Sequence, residues 1–589
     1  MSDPAGGRPG GPVDGPVGEA AIGAVGEAAI GAVGDAAIGA MGDAGVASMS
    51  RAAGPPPAVA GPARVSAPRR GTIATAGLIV TAAFFASRVL GWVRLAVVST
   101  TFGASGQLDS FFAAFRIPDL IFQLVAAGAL SSALIPVLAG LLARDEDARA
   151  WRIASTVTNL MLLGLVVLGV AFGLGAPWIV PLITPGFDPA QMESTVGLTR
   201  IMLVSPILLA LGAVATSILN ARGRFAAAAV APIVYNVAII LAALLFSESL
   251  GVASLALGVV LGSLGNVAVQ LAPLRAIGFR YRPAVDTADA EAREALVLMA
   301  PRAVGLGVSQ LTFIVSTTLA SGLATGSITA FNIAFTVLQI PIGLIGVPLG
   351  VVVFPSLARE LALGSVGQYV ALVTRSVRLV LFTMLPITGL AIVLRRETIT
   401  LLFDYGRFDA RAIDLTADTL LFFLVGLAAH SLIAILARAF YAARDTRTPV
   451  VAAILAVVVN VTFGVATVGT FGLAGLALGI ALGAWVEALF LVWVLQRRVA
   501  GFSLGGIARL TAETAAASVV AALVAYGTIR ALDAVVGAGP AKLALLGEVV
   551  VTTGAGVVAF VAVALALRIA ELPTIVGVMG DLINRPRRS

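Results

Sequence analysis

The feature that most constrains this chain is a succession of long apolar blocks without charge. Residues 159–172, NLMLLGLVVLGVAF, hold no charged group, and 229–246, 450–466 and 550–567 are similar. A helix of about 20 mostly apolar residues spans a bilayer. A soluble surface would need about 25% charged residues, whereas here they make up 12%, against 59% apolar, at a mean hydropathy of +1.02. The short polar/apolar alternation of barrel strands is absent, so the sequence predicts an all-α polytopic membrane protein.

Several chemistries are excluded at once. There is no cysteine, so disulfides, thiolate zinc sites and cysteine nucleophiles are out. The single histidine, His430, rules out paired-histidine metal sites, and it reads as a core histidine rather than a proton relay. No metal or cofactor is expected. The net charge of +7 and pI near 10.4 suit loop arginines facing the cytoplasm better than a nucleic-acid partner. Lys542 is the lone lysine among them.

Residues 1–70 differ from the rest. They are rich in Gly, Pro and Ala and carry the octads VGEAAIGA at 17–24 and 25–32 and VGDAAIGA at 33–40. Frequent glycine opposes helix formation, so this segment reads as a disordered cytoplasmic tail with no cleavable leader, the other reading being a docking repeat for a partner. About fourteen spans follow by the 20-residue criterion. They fall near 73–99, 109–143, 152–182, 195–220, 225–249, 252–274, 295–321, 328–358, 366–394, 411–443, 447–469, 472–496, 507–530 and 541–569. Pro118, Pro136, Pro341 and Pro355 should kink the segments that contain them.

An internal repeat organises these spans. GVASLALGVVLG at 251–262 matches GLAGLALGIALG at 472–483, an offset of 221 residues. Arg224 and Arg447, and Asn236 and Asn460, lie at nearly the same offset. One period holds about six spans, and an even number keeps both halves in the same orientation. The expectation is two six-helix lobes, 73–274 and 295–496, then two extra helices over 507–569 and a cytoplasmic tail at 570–589. Arginines crowd alternate loops, at 144–152, 222–224, 275–282, 359, 444–447 and 497–498, whereas 101–108, 183–194, 321–327 and 466–471 have neither Arg nor Lys; the exception on that side is the 395–411 loop, with Arg395, Arg396, Arg407 and Arg411 among acids. The bias predicts a bacterial inner-membrane protein with both termini in the cytoplasm.

Charge at membrane depth costs about 2.5–3.5 kcal/mol per group, so charged residues inside spans are the function candidates. Arg88 and Arg94 lie in the first span, SRVLGWVRLAVV, and Asp109 and Arg116 open the second. A spacing of seven puts Asp109 and Arg116 on one helix face. Arg88 and Arg94 are about 240° apart on an ideal helix and need not share a face unless the chain kinks near Gly91. Arginines lining a wet cavity would attract an anion, above all a phosphate. Snorkelling to the interface, or an Arg–Asp structural pair, is the plainer alternative. Glu487, deep in the twelfth span, and Asp445, in ARDTRTP, are candidates for ion coupling. For Glu487 the alternative is a packed acid, and for Asp445 a loop or helix cap.

Four motifs carry a resemblance. SRVLGWVRLAVVSTTFGASGQLDSFFAAFRIPDL at 87–120, QIPIGLIGVPLGVVVFPSLAR at 339–359, LLFDYGRFD at 401–409 and ARAFYAARDTRTPV at 437–450 resemble the signatures of the MurJ/MviN family. That family, a MATE-like branch of exporters, flips lipid II, the undecaprenyl-diphosphate-linked peptidoglycan precursor. The resemblance spans about 73–570 and implies the same repeat, with the diphosphate head held by cations between the lobes. The lipid tail would lie in a groove made by the two extra helices, among membrane lipids. It assigns Arg88 and Arg94 to the functional arginines of the first helix and Asp109 to the acid of the second. Coupling to membrane potential, Na+ or H+ stays open, and cell-wall synthesis or division proteins are expected partners.

The chain departs from the family pattern elsewhere. Phe122, Gln123 and Ala127 stand where the family often has two arginines and a glutamate, and Phe335 and Thr336 replace an Asp–Arg pair. Gln339 and Ser316 stand at acid positions and Ala434 at a lysine position. The cationic side is therefore expected in the first lobe alone, at Arg88, Arg94 and Arg116. Two other readings fit the same residues: export of a drug or another polyprenyl-linked glycan, and a non-transporting scaffold for cell-wall enzymes.

Overall fold

The computed structural model of the chain describes residues 70–125, 129–283, 285–290, 293, 310–499, 501–536 and 542–573. The octads, the start of the seventh span and the C-terminal tail beyond 573 lie outside them. The described residues are helical, with no strand. The first lobe comprises α1 (Arg70–Phe102), α2 (Gly106–Val125), α3 (Ala129–Leu142), α4 (Asp147–Ile183), α5 (Pro189–Met202), α6 (Val204–Ala221), α7 (Phe225–Leu250) and α8 (Ala253–Ala276). The second comprises a helical stretch at 310–321, then α9 (Ser327–Pro341), a π turn (Ile342–Gly346) and α10 (Val347–Ala362). It continues with α11 (Val366–Val393), α12 (Arg395–Phe403), α13 (Ala410–Leu424), α14 (Leu427–Ala442), α15 (Arg447–Phe471) and α16 (Leu473–Arg498). The last pair is α17 (Leu504–Val536) and α18 (Lys542–Ala566), with α17 packed along α11.

Ten spans among the described residues are long and apolar enough to cross a membrane, and the bent pair α13–α14 makes up to an eleventh. The expected second span is described as α2 and α3, on either side of 126–128. The fourth is α5 and α6, meeting at Leu203. The residues after 394, expected to form a loop, instead form α12.

Three irregularities follow from local chemistry. Pro341 has no N–H to donate, and the helix passes it through the π turn rather than a sharp kink. α13 and α14 bend by 46° at Val425–Gly426, and the carbonyl of Val425 accepts a hydrogen bond of 2.8 Å from the Trp485 indole. In a membrane such an outside donor is what makes a broken helix tolerable. α1, by contrast, runs without interruption through Gly91.

The outward faces are apolar, the reverse of a soluble helix. On α4, Leu163, Val167, Val170, Leu174, Trp178 and Leu182 form an exposed stripe at helical spacing. The buried faces carry small residues that let backbones approach. The repeat is exact in the backbone at its break points. Gly251 has φ 54° and ψ −140°, and Gly472 has φ 54° and ψ −132°. Each ends the first helix of a tightly packed pair, α7–α8 and α15–α16. The equivalent contacts recur, Gly258 against Ile239 in the first pair and Gly479 against Asn460 in the second, so the buried Asn236 and Asn460 lie about one turn apart in the repeat.

The repeat reaches further than sequence matching revealed. Asp188 accepts a hydrogen bond from the Gln191 amide at 2.8 Å and caps α5, while Asp409 accepts from the Ala412 amide at 2.9 Å and caps α13. These aspartates are also 221 residues apart (409 − 188), and each follows a buried phenylalanine, Phe187 or Phe408.

Candidate functional site

The lobes meet at the arginine-poor end. The Arg407 amide donates to the Thr100 carbonyl at 2.8 Å, and the Gly186 amide to the Ser321 hydroxyl at 3.3 Å. A Cβ at Gly186 or Gly406 would collide with backbone of the facing lobe, at Ser321 and Thr100 respectively. The centre of this seam is Asp109, which is buried. Its carboxylate accepts from the Gly326 amide at 2.6 Å and from the Thr329 amide and hydroxyl at 2.7 Å each. The residue that precedes α9 is Gly326, which has no side chain to cap it. The first amides of a helix need outside acceptors and favour negative charge. Asp109 therefore caps a helix of the opposite lobe, and both its oxygens are engaged in doing so.

Arg116 lies two turns along the same face, as its spacing predicts. Its Nε donates to the Thr317 hydroxyl at 2.9 Å and its Nη2 to the Asn332 side-chain oxygen at 2.7 Å. The guanidinium stands 5.4 Å from the ring centre of Phe313. Asp119, one turn further along α2, lies within electrostatic reach of Arg116 and is hydrogen-bonded to Gln123 and Gln310. All of these partners except Gln123 belong to the second lobe, so this cluster also bridges the seam.

The first-helix arginines diverge, as the uninterrupted helix requires. The Arg88 guanidinium reaches the π turn of the second lobe, 3.2 Å from where a Cβ of Gly343 would lie. Glycine there leaves room for the arginine. Arg94 turns back into its own lobe, 5.9 Å from the ring centre of Tyr235 on α7. Tyr235 also feels the charge of Asp119, which ties Arg94 to the cluster around Arg116.

The ion-coupling candidates do not join this group. Asp445 accepts from the amides of Arg447 (3.1 Å) and Thr448 (3.0 Å) and from the Thr448 hydroxyl (2.6 Å), and pairs with Arg498 at 2.7 Å. Partial burial pushes its carboxyl up, but the Thr448 hydrogen bonds, the Arg498 charge and the Arg447 amide outweigh this and hold it below its ordinary value. It serves as the cap of α15. Glu487 is half-buried in α16, with no ion pair or hydrogen bond among the described residues. The Nε2 of His430 is buried without a hydrogen-bond partner. Among the described residues no cluster of His, Cys, Asp or Glu suits a metal ion.

Sequence reasoning missed Asp119, Tyr235, Thr317 and Asn332. Asp119 had a signal, since it follows Arg116 by three residues and shares its face. The others are ordinary residues of apolar helices until the lobes are brought together. It also missed a cation in the second lobe. Arg438 on α14 is half-buried, folds back to donate to the Ala434 carbonyl at 2.5 Å, and lies against Gly350. Both contacts lie within the second lobe, so Arg438 does not join the cations at the seam.

With this geometry in hand, the family profile described as lipid II flippase MurJ matches residues 98–545. The chain belongs to the MurJ family. Asp109, Arg116, Asp445 and Glu487 fall within the match, and Arg88 and Arg94 just precede it. A lipid II flippase MurJ of Burkholderia cenocepacia is 32% identical over 421 residues, covering 70% of this chain and 81% of that protein. A probable lipid II flippase MurJ of Vibrio cholerae is 31% identical over 439 residues, covering 73% and 82%. Among solved structures, a lipid II flippase MurJ in an inward closed conformation matches with TM-score 0.70 at 21% identity, over 83% of this chain and 99% of that one. An inward-facing multidrug resistance MATE family transporter matches with TM-score 0.54 at 18% identity, over 72% and 95%. Both structural likenesses show the fold, which this chain shares with each of them.

Proposed function

We propose that this chain flips lipid II from the inner to the outer leaflet of the bacterial cell membrane by alternating access of its two lobes, supplying cell-wall synthesis. One observation carries the reading. Asp109 ties the lobes together at the arginine-poor end, while Arg88 and Arg116 reach across the seam behind it. The arginine-rich loops face the cytoplasm and both termini lie there. This is then the state that admits substrate from the inside.

A diphosphate and its sugar–peptide head cannot enter hydrocarbon unpaired. Arg88 and Arg94 would hold the diphosphate with paired N–H donors, Arg116 would add charge, and the tail would stay in lipid beside α17 and α18. Opening the outer end requires Asp109 to release the start of α9, so its role is in gating rather than contact with the head. Of the two acids considered for ion coupling, Glu487 is the one we retain, because Asp445 is committed to its cap. The chemistry is translocation, with no bond made or broken.

The test is rescue of a flippase-depleted strain, with lipid II at the outer surface as the readout. The wild-type chain should rescue, and Arg88→Ala or Arg94→Ala should insert normally yet leave lipid II inside. Full rescue by both variants would sink the proposal. Failure of the wild-type chain, with another polyprenyl-linked lipid accumulating, would favour a different cargo.

A further inference from the structure

A cavity of about 480 Å³ opens at the arginine-rich end, far from the seam between the lobes. One wall is the first half of α11, with Val370, Thr374, Arg375 and Arg378, and the other is Ala570 and Glu571, just beyond α18. Behind Arg378 lies the start of α17, with the guanidinium 3.6 Å from the Cβ position of Gly506. Arg378 is paired with Glu571. Arg375 is exposed, with no ion pair or hydrogen bond among the described residues, and neither does the Thr374 hydroxyl have a partner there. Two guanidiniums and one carboxylate leave the cavity one net positive charge.

The depth of the cavity follows from helix length. α11 has 28 residues, about 42 Å at 1.5 Å per residue, against about 30 Å of hydrocarbon. Its far end, Val393, is followed at once by Arg395 and Arg396, which fix that end at the interface. The hydrocarbon then covers roughly the last 20 residues of α11, which puts Thr374 and Arg375 at its edge on the opposite surface, where an arginine side chain extends to the headgroups. Below them α18 presents exposed Leu565 and Val558.

We propose that this cavity binds the phosphodiester headgroup of an anionic glycerophospholipid, with Arg375 and Thr374 on the phosphate and the acyl chains against the outer face of α18. A singly charged phosphodiester matches the single uncompensated charge, and basic pockets between membrane helices suit such headgroups. The headgroup level and the apolar surface below select a lipid over a soluble phosphate. That the lipid comes from the inner leaflet rests on the orientation proposed above, but the binding itself does not.

The experiment is native mass spectrometry of the full chain in detergent, titrated separately with phosphatidylglycerol and phosphatidylcholine, and repeated with excess inorganic phosphate. The wild type should retain one phosphatidylglycerol more tightly than phosphatidylcholine. Arg375→Ala should weaken that binding by about fivefold, as expected for about 1 kcal/mol per arginine. Arg359→Ala, an exposed arginine at the same end outside the cavity, should leave it unchanged. Equal retention by wild type and Arg375→Ala, or equal binding of both lipids, overturns the proposal. Displacement by inorganic phosphate overturns the choice of a lipid. None of these readouts depends on lipid II being moved.

Discussion

Asp109 in the first lobe and Thr329 in the second are joined by two hydrogen bonds of 2.7 Å, from the amide and from the hydroxyl of Thr329 to one carboxylate oxygen. The other oxygen takes the Gly326 amide. A helix start is thus capped from the opposite half of the molecule. The cap requires the lobes to be in contact at this end, so their contact draws stability from it.

Replacing Asp109 should therefore favour opening. Each hydrogen bond to a charged group contributes about 1.5–3 kcal/mol. Asp109→Ala and Asp109→Asn should both raise exposure at the seam, since asparagine sets its own N–H groups against amide donors. The chain has no cysteine, so one introduced at Ala104, which packs on Gly326, reports cleanly. Labelling by a membrane-impermeant maleimide should rise at least fivefold, as expected for a loss of about 1 kcal/mol or more. Unchanged labelling would mean that the cap does not hold the lobes.

Arg116 contacts two acceptors at once, through Nε and Nη2. Lysine keeps the charge but not the fork. Arg116→Ala should abolish rescue of a flippase-depleted strain, and Arg116→Lys should lower outer-surface lipid II about tenfold at equal protein level, the effect of about 1.4 kcal/mol. Asn332→Ala should fall between Arg116→Lys and the wild type. Full activity of Arg116→Lys would show that the two-point geometry is not used.

Asp445 sets a pH dependence. Its carboxyl is held below the ordinary value in the folded chain, so its contribution is fully present above the unfolded value near 4 and is lost as pH falls through the lower folded value. Asp445→Ala should lower thermal stability in detergent by about 0.5–2 kcal/mol, the usual worth of an N-cap. The gap to wild type should be constant from pH 8 to pH 5 and should narrow only in more acid solution. A gap that closes between pH 7 and pH 6 would contradict this assignment and return Asp445 to the candidates for proton coupling.

Gly251 and Gly472 hold a backbone conformation that other residues enter only at a strain of order 1–3 kcal/mol. Gly251→Ala and Gly472→Ala should each lower the midpoint of thermal unfolding, measured by fluorescence-detected size exclusion. Gly469→Ala, in a helix with open space at its Cβ position, should be neutral or slightly stabilising. Equal behaviour of all three would remove the argument from backbone conformation.

The sequence by itself determined the class of protein, because lipid imposes one simple rule. A chain with uncharged blocks long enough to span the hydrocarbon has to satisfy its backbone within helices. The 221-residue repeat was legible for a related reason, since α7–α8 and α15–α16 are built from nearly the same residues and break at equivalent glycines. The shared face of Asp109 and Arg116 followed from helix geometry, as did the divergence of Arg88 and Arg94 once α1 proved continuous. Tertiary structure decided what those faces meet. Asp109 caps a helix that begins 217 residues later, and no local pattern announces a cap supplied from another lobe. Asp119, Thr317 and Asn332 gain meaning only where the lobes touch. The headgroup cavity needs Arg375 and Glu571, which come from distant parts of the chain. Helix periodicity fixes where a side chain points, and packing between distant helices fixes what it finds there.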